Sequence, residues 1–291
     1  MNSISNRILS AVLRGAAAVV LVSAVSSPAV AGTDSLRWQF PENAIYTYHI
    51  DQEMKSVTGG KSGDEEMKQE MSMGMSGTVT ITGDGEKGKL RVELSPKFAK
   101  IGDQDVDPAQ IGAAERTVEA AMGTDGVVID DDPVRRQTLQ QLMNYIFPLP
   151  DRPFKKGKPV TREITMALPG VSPVRGNATY KITKTGRQDE FECVYYHVSM
   201  KMKSYKPDAK ETPPPEGVRA MDIIKALGLD GNLNMGGEFD CVFIPERGMF
   251  MSVDGVVKIG MKVDGSAEKK GVKISMEQEH NISVGLVSAE Y

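Results

Sequence analysis

Along the stretch from Met67 to Ile81 the side chains alternate, with Met67, Met71, Met73, Met75, Val79 and Ile81 on one side and Lys68, Glu70, Ser72, Ser76, Thr78 and Thr80 on the other. A repeat of two is the signature of an extended strand with one face buried. The pattern returns near the C-terminus, where Val272, Ile274, Met276, Ile282, Val284 and Leu286 oppose Lys273, Ser275, Glu277, Glu279, Asn281 and Ser283. One-sided alternation of this kind belongs to antiparallel sheets, whose second face meets water. It commits the chain to a β-sheet core before any other feature is considered.

The N-terminus carries a different signal. Arg7 and Arg14 precede an apolar run from Ala16 to Val25, and Ala29-Val30-Ala31 supplies the small residues of a cleavage site. This reads as a secretory signal peptide over residues 1–31, cut after Ala31. Its apolar core is only about half the length needed to span a bilayer, so the mature chain is expected to have no transmembrane segment and to be periplasmic or secreted. Removing that segment, with two arginines and no acids, leaves 33 basic and 39 acidic side chains. A net charge of −6 argues against nucleic acid as a partner.

Cys193 and Cys241 are the two cysteines, both in strand-like runs. In an oxidising compartment such a pair is expected to form one disulfide across neighbouring strands, with two buried thiols as the rival reading.

Further along, Ile45–Val57, the run through Leu90, Val92 and Leu94, and the segments 160–168, 178–182, 194–202, 239–244, 249–263 and 272–287 extend the strand pattern. Asp107-Pro108 and Asp132-Pro133 each place a capping acid before a proline, which predicts helices over about 108–122 and 133–146. Val127 to Ile129 suits one short strand between them, and Met221–Leu229 suits a third, short helix. The proline-rich 147–158 marks a crossing between two halves, and 204–217 reads as a solvated loop. The expected fold is therefore mainly β: a large curved antiparallel sheet, half-barrel or two-lobed clam, with two or three helices. It fills residues 32–291 as a single β-rich domain whose two halves meet near 147–158.

Motifs that carry chemistry are sparse. Gly83-Asp84-Gly85-Glu86-Lys87-Gly88 has the spacing of a dinucleotide-binding loop, but a strand follows where a helix is required, so a hairpin turn is predicted. His49, His197 and His280 lie in three separate strands without metal-ligand spacing. Asp130, Asp131 and Asp132 are the best acids for an enzymatic reading, yet no nucleophile motif accompanies them. The chain is expected to be non-enzymatic, with no catalytic residue, no cofactor and no metal site.

What stands out is methionine. Met71, Met73, Met75, Met200, Met202 and Met276 lie on apolar strand faces, where flexible thioethers fill irregular cores or line adaptable binding surfaces. They are the candidate ligand-binding residues, for a lipid or another hydrophobic ligand. The alternatives are a structural module with a filled core, serving an envelope protein partner through exposed loops, and a copper site in which Met71, Met73 and Met75 hold Cu(I).

Several segments together carry a resemblance: Leu36-Arg37-Trp38-Gln39-Phe40, Leu149-Pro150-Asp151-Arg152-Pro153-Phe154-Lys155-Lys156-Gly157, and the glycine-turn strands from Phe239 onward. The chain resembles a family of exported, β-rich bacterial proteins of unknown function, often bearing a signal peptide or a lipid anchor. This sequence lacks the anchoring cysteine. The resemblance implies an exported β-rich architecture and no catalytic residue.

Overall fold

The computed structural model describes residues 36–62, 65–111, 115–153, 156–166, 174–204, 229–265 and 272–291. The alternating segments form strands in one antiparallel sheet. Its first meander comprises β1 (Ile45–Ser62), β2 (Glu65–Gly83), β3 (Gly88–Ile101), the two-residue β4 (Gln104–Asp105), β5 (Arg116–Met122) and β6 (Val128–Ile129). Helix α1 (Pro133–Ile146) follows. The second meander comprises β7 (Val160–Met166), β8 (Val174–Gln188), β9 (Phe191–Ser204), β10 (Leu229–Ile244), β11 (Met249–Gly265) and β12 (Val272–Glu290).

The order across the sheet is β6-β5-β3-β2-β1-β12-β11-β10-β9-β8-β7, with β4 paired to β3, and the sheet does not close. The two meanders therefore lie side by side, joined where β1 pairs with β12 from Ile45↔Glu290 to Ser62↔Val272. A consequence is that β6 and β7, consecutive strands in the chain, sit at opposite edges. The connection between them has to cross a face of the sheet, and it crosses the apolar one. Tyr145 near the end of α1 reaches Phe239 and the Met235 sulfur on β10, and the Pro148 carbonyl accepts a hydrogen bond from Tyr196 Oη on β9 at 2.8 Å.

Helix α1 forms for the reasons its sequence offers. The Asp132 carboxylate accepts from the Arg135 amide, Pro133 occupies the first turn, and Pro148 follows shortly after the helix ends. Leu139, Met143 and Ile146 make its buried stripe, and Gln140 holds β6 by accepting from the Val128 amide at 2.6 Å. Beside it, Trp38, Phe40, Tyr48, Phe147, Phe243 and Phe250 pack ring against ring. The leading segment is stitched down by its backbone: Trp38 donates to the Thr124 carbonyl and Gln39 to that of Gly248. Gly248 is at φ +55°, and a Cβ there would come within 2.4 Å of the Gln39 amide nitrogen, so only glycine permits this approach.

Three expectations need correction or completion. The predicted helix over 108–122 is instead a single 3₁₀ turn at Pro108–Ile111 followed by strand β5. Val118, Ala120 and Met122 alternate with Thr117, Glu119 and Ala121, and pairing with Leu90, Val92 and Leu94 of β3 outweighs the capping signal at Asp107. Among the described residues α1 is the one α-helix, so two or three helices are not found; the Met221–Leu229 expectation falls outside the described residues apart from Leu229, the first residue of β10. No helix among the described residues is long and apolar enough to cross a membrane.

The second correction concerns the cysteines, which are buried and not bonded. Cys241 pairs with Tyr196, so Cys193 stands three residues further along β9. Three residues of strand are about 10 Å, which puts the two Cα atoms beyond the roughly 7 Å a disulfide tolerates. Burial pushes both thiols up, most strongly Cys241.

The third is a completion. Gly83↔Gly88 closes a hairpin between β2 and β3, with the Asp84 carboxylate accepting from the Glu86 and Lys87 amides, so the glycine-rich segment is a turn.

Thiol titration of the denatured, unreduced protein is expected to give two free thiols, with little reaction in the native state. A result of zero would restore the bond.

Candidate functional site

The sheet has one buried and one exposed face, and the predicted methionines are on the buried one. Met71, Met73 and Met75 of β2 are each 4% exposed and form one packed group with Met54 of β1, flanked by Leu94 and Ile101. Met200 and Met202 of β9 and Met276 of β12 are also buried, but they belong to the main core. The structure thus separates Met71, Met73 and Met75 on β2 from Met200 and Met202 on β9, five strands or about 24 Å along the sheet, with Met276 on β12 in between. Between them the same face carries Met261 opposite Met276, and Met235 opposite Met202, neither foreseen. The buried face is therefore aromatic where α1 and residues 36–44 cover it and methionine-rich toward the other end of the strands.

Polar residues interrupt this methionine field at the join of the two meanders. Ser56 on β1 is the cross-strand partner of Gln278 on β12, and Met54 is the partner of His280. All are buried: Ser56 is 2% exposed, Gln278 and His280 each 4%. Gln52 Nε2 lies 3.1 Å from His280 Nδ1. Ser56 Oγ, Gln278 Nε2 and His280 Nε2 have no hydrogen-bond partner. Leaving such a group unpaired costs about 1–3 kcal/mol, and native cores contain few of them.

These four residues were not singled out from the sequence, although a signal existed. In β12 the apolar alternation through Ile274 and Met276 resumes at Ile282, and the two skipped inward positions are Gln278 and His280. In β1 the equivalent gaps are Gln52, Ser56 and Thr58.

The remaining candidates are accounted for by local structure. Asp130 binds Arg135 through a fork at 2.6 and 2.9 Å, and Asp132 caps α1, so these acids hold the helix start. The Arg135 guanidinium keeps the Asp130 carboxyl below its ordinary range. His49 is exposed beside Asp51. His197 sits on the exposed face between Asp240 at 2.9 Å and Glu238 at 2.6 Å. Partial burial opposes its charge, but the two carboxylates outweigh this and raise its pKa. The three histidines are not brought together, and no group of three or more His, Cys, Asp or Glu side chains among the described residues is placed to hold a metal ion.

The exposed face is patterned in charge. A groove of about 610 Å³ is bordered by Asp51, Glu53, Glu238, Asp240 and Asp254, with Lys97 at one side. Next to it a groove of about 570 Å³ is bordered by Arg175, Lys201, Lys203 and Lys258. Their charges are exposed and several are paired, as in Lys97–Asp51 and Lys258–Glu279. Such pairs contribute little each.

His280 has the opposite electrostatics to His197. Burial alone pushes its imidazole down to about 4. The unfolded chain takes up that proton near the ordinary value of about 6.5, so between 6.5 and 4 the unfolded state binds more protons than the native one. His280 therefore leaves stability intact above about pH 6.5 and removes on the order of 3 kcal/mol as the pH falls toward 4. Denaturant midpoints across this interval are expected to fall less steeply for His280→Leu than for the wild type. Parallel curves would place the imidazole in water.

No protein-family model matches the chain, and no curated protein is significantly similar to it.

Proposed function

We propose that this is an exported, non-enzymatic binding protein that takes a lipid or similar hydrophobic ligand on the methionine-rich part of its inner face, with the open sheet acting as a half-barrel. One observation carries this reading: buried polar atoms without partners stand among clustered methionines. A sheet built solely as a filled structural core gains nothing from placing Ser56, Gln278 and His280 at inward positions. Methionine in place of Leu or Ile adds to the argument, because unbranched thioethers repack around occupants of different shape at small cost. Analogy with lipoprotein carriers of half-barrel fold agrees with this reading, at the level of architecture alone.

Native mass spectrometry of protein purified gently from its host envelope is expected to show an added apolar mass, and the emptied protein to enhance the fluorescence of N-phenylnaphthylamine. Repeated recovery of bare protein that takes up neither lipid nor probe would remove the reading and favour the filled module.

A second reading rests on one cross-strand row. His280, Met54 and Met73 are successive neighbours across β12, β1 and β2. Thioethers and an imidazole suit Cu(I). If this row holds a soft cation, a titration with Ag(I) shifts the methyl resonances of Met54 and Met73 at stoichiometric metal; unmoved resonances dismiss it.

A further inference from the structure

We propose that Ser56, Gln278 and His280 form the seat for the head of the ligand, and that this ligand is an acyl lipid presenting acceptor oxygens, either a carboxylate or an ester carbonyl. This deepens the binding reading above and rests on it. The argument starts from the kind of atom left over. Gln278 Nε2 is a donor, and Ser56 Oγ carries a hydroxyl proton. With the Gln52 amide nitrogen facing His280 Nδ1, that ring nitrogen accepts and Nε2 bears the proton. The three loose ends are thus all able to donate, and the group that completes them has to accept.

Their placement matches a single small head group. Ser56 and Gln278 are directly opposite across the β1–β12 join, which sets their Cβ atoms about 5 Å apart, and His280 is two residues along the same face of β12, about 7 Å away. Two oxygens on one carbon, as in a carboxylate or an ester, can reach donors spread over this span. The surroundings supply the tail site. Met54 and Met73 continue the His280 row, Met71 continues the Ser56 row, and Met276 lies opposite Thr58 in the next. Ile259 and Val257 close the side toward β11. A phosphate or sulfate head fits poorly, because the inward positions of these rows carry no Lys or Arg among the described residues.

The two sources of the head group separate by charge. A free fatty acid brings a carboxylate next to His280 and draws a proton onto the ring, whereas an ester leaves the ring neutral.

The test measures palmitate and methyl palmitate binding to the full mature chain by calorimetry, alongside N-phenylnaphthylamine, which has no acyl head. Gln278→Leu and His280→Leu are each expected to weaken the preferred acyl ligand about tenfold, the loss of one buried hydrogen bond, with probe affinity within about twofold of wild type. His280→Gln, which keeps a donor, is expected to recover part of the loss. If His280→Leu does not fold, Gln278→Leu carries the test. Unchanged acyl affinity in folded variants that still bind the probe overturns the head seat and leaves the binding reading standing. Failure of the wild type to bind acyl ligand and probe alike overturns both. For wild type, a rise in the His280 titration midpoint on adding ligand, followed by NMR, identifies the carboxylate; an unmoved midpoint with binding identifies the ester.

Discussion

The antiparallel pairing of β1 with β12 is the interaction on which the molecule depends. It joins the first alternating segment of the described chain to the last, and through it two meanders become one sheet with a continuous buried face. The same pairing creates the proposed site, since Ser56 and Gln52 come from one side of the join and Gln278 and His280 from the other. Neither meander contains the cluster by itself. Placing a polar group at a join is costly unless something completes its hydrogen bonds, and this links the architecture to the proposed ligand.

The crossover from β6 to β7 solves a second problem posed by the strand order. The chain must travel from one edge of the sheet to the other, and doing so over the buried face gives that face a cover of α1 and the proline-rich stretch after it. Aromatic rings collect there because large flat side chains can stack in offset and edge-on pairs between sheet and crossover. The other end of the strands has methionine instead. One half of the inner face is thus packed by rigid groups with defined mutual geometry, and the other by groups that accommodate change.

Much of this was legible in the residues. A repeat of two found at least part of every long strand, though of β10 only 239–244, and capping at Asp132 placed α1 closely. The short strand β5 was hidden because Asp107-Pro108 is a sound helix-start signal, and local propensity gave way to pairing with β3, whose partner residues lie 22 to 34 positions earlier in sequence. The cysteines were misjudged for a related reason: face can be read from alternation, but register between strands depends on turns and bulges that periodicity does not encode. The methionines were found by residue type, and their separation along the sheet follows from a strand order the sequence does not state. Gln278 and His280 could have been found as gaps in an apolar series, a weaker signal than any motif and one that matters only once the face is known to be buried.

The position of β12 has a consequence for folding. Because β1 pairs with the last strand of the described residues, from Ile45↔Glu290 to Ser62↔Val272, the contacts that unite the sheet join residues 210 to 245 positions apart, and high contact order slows folding. The pairings within each meander are short-range by comparison, so joining β1 to β12 carries the largest loop-closure cost in the sheet.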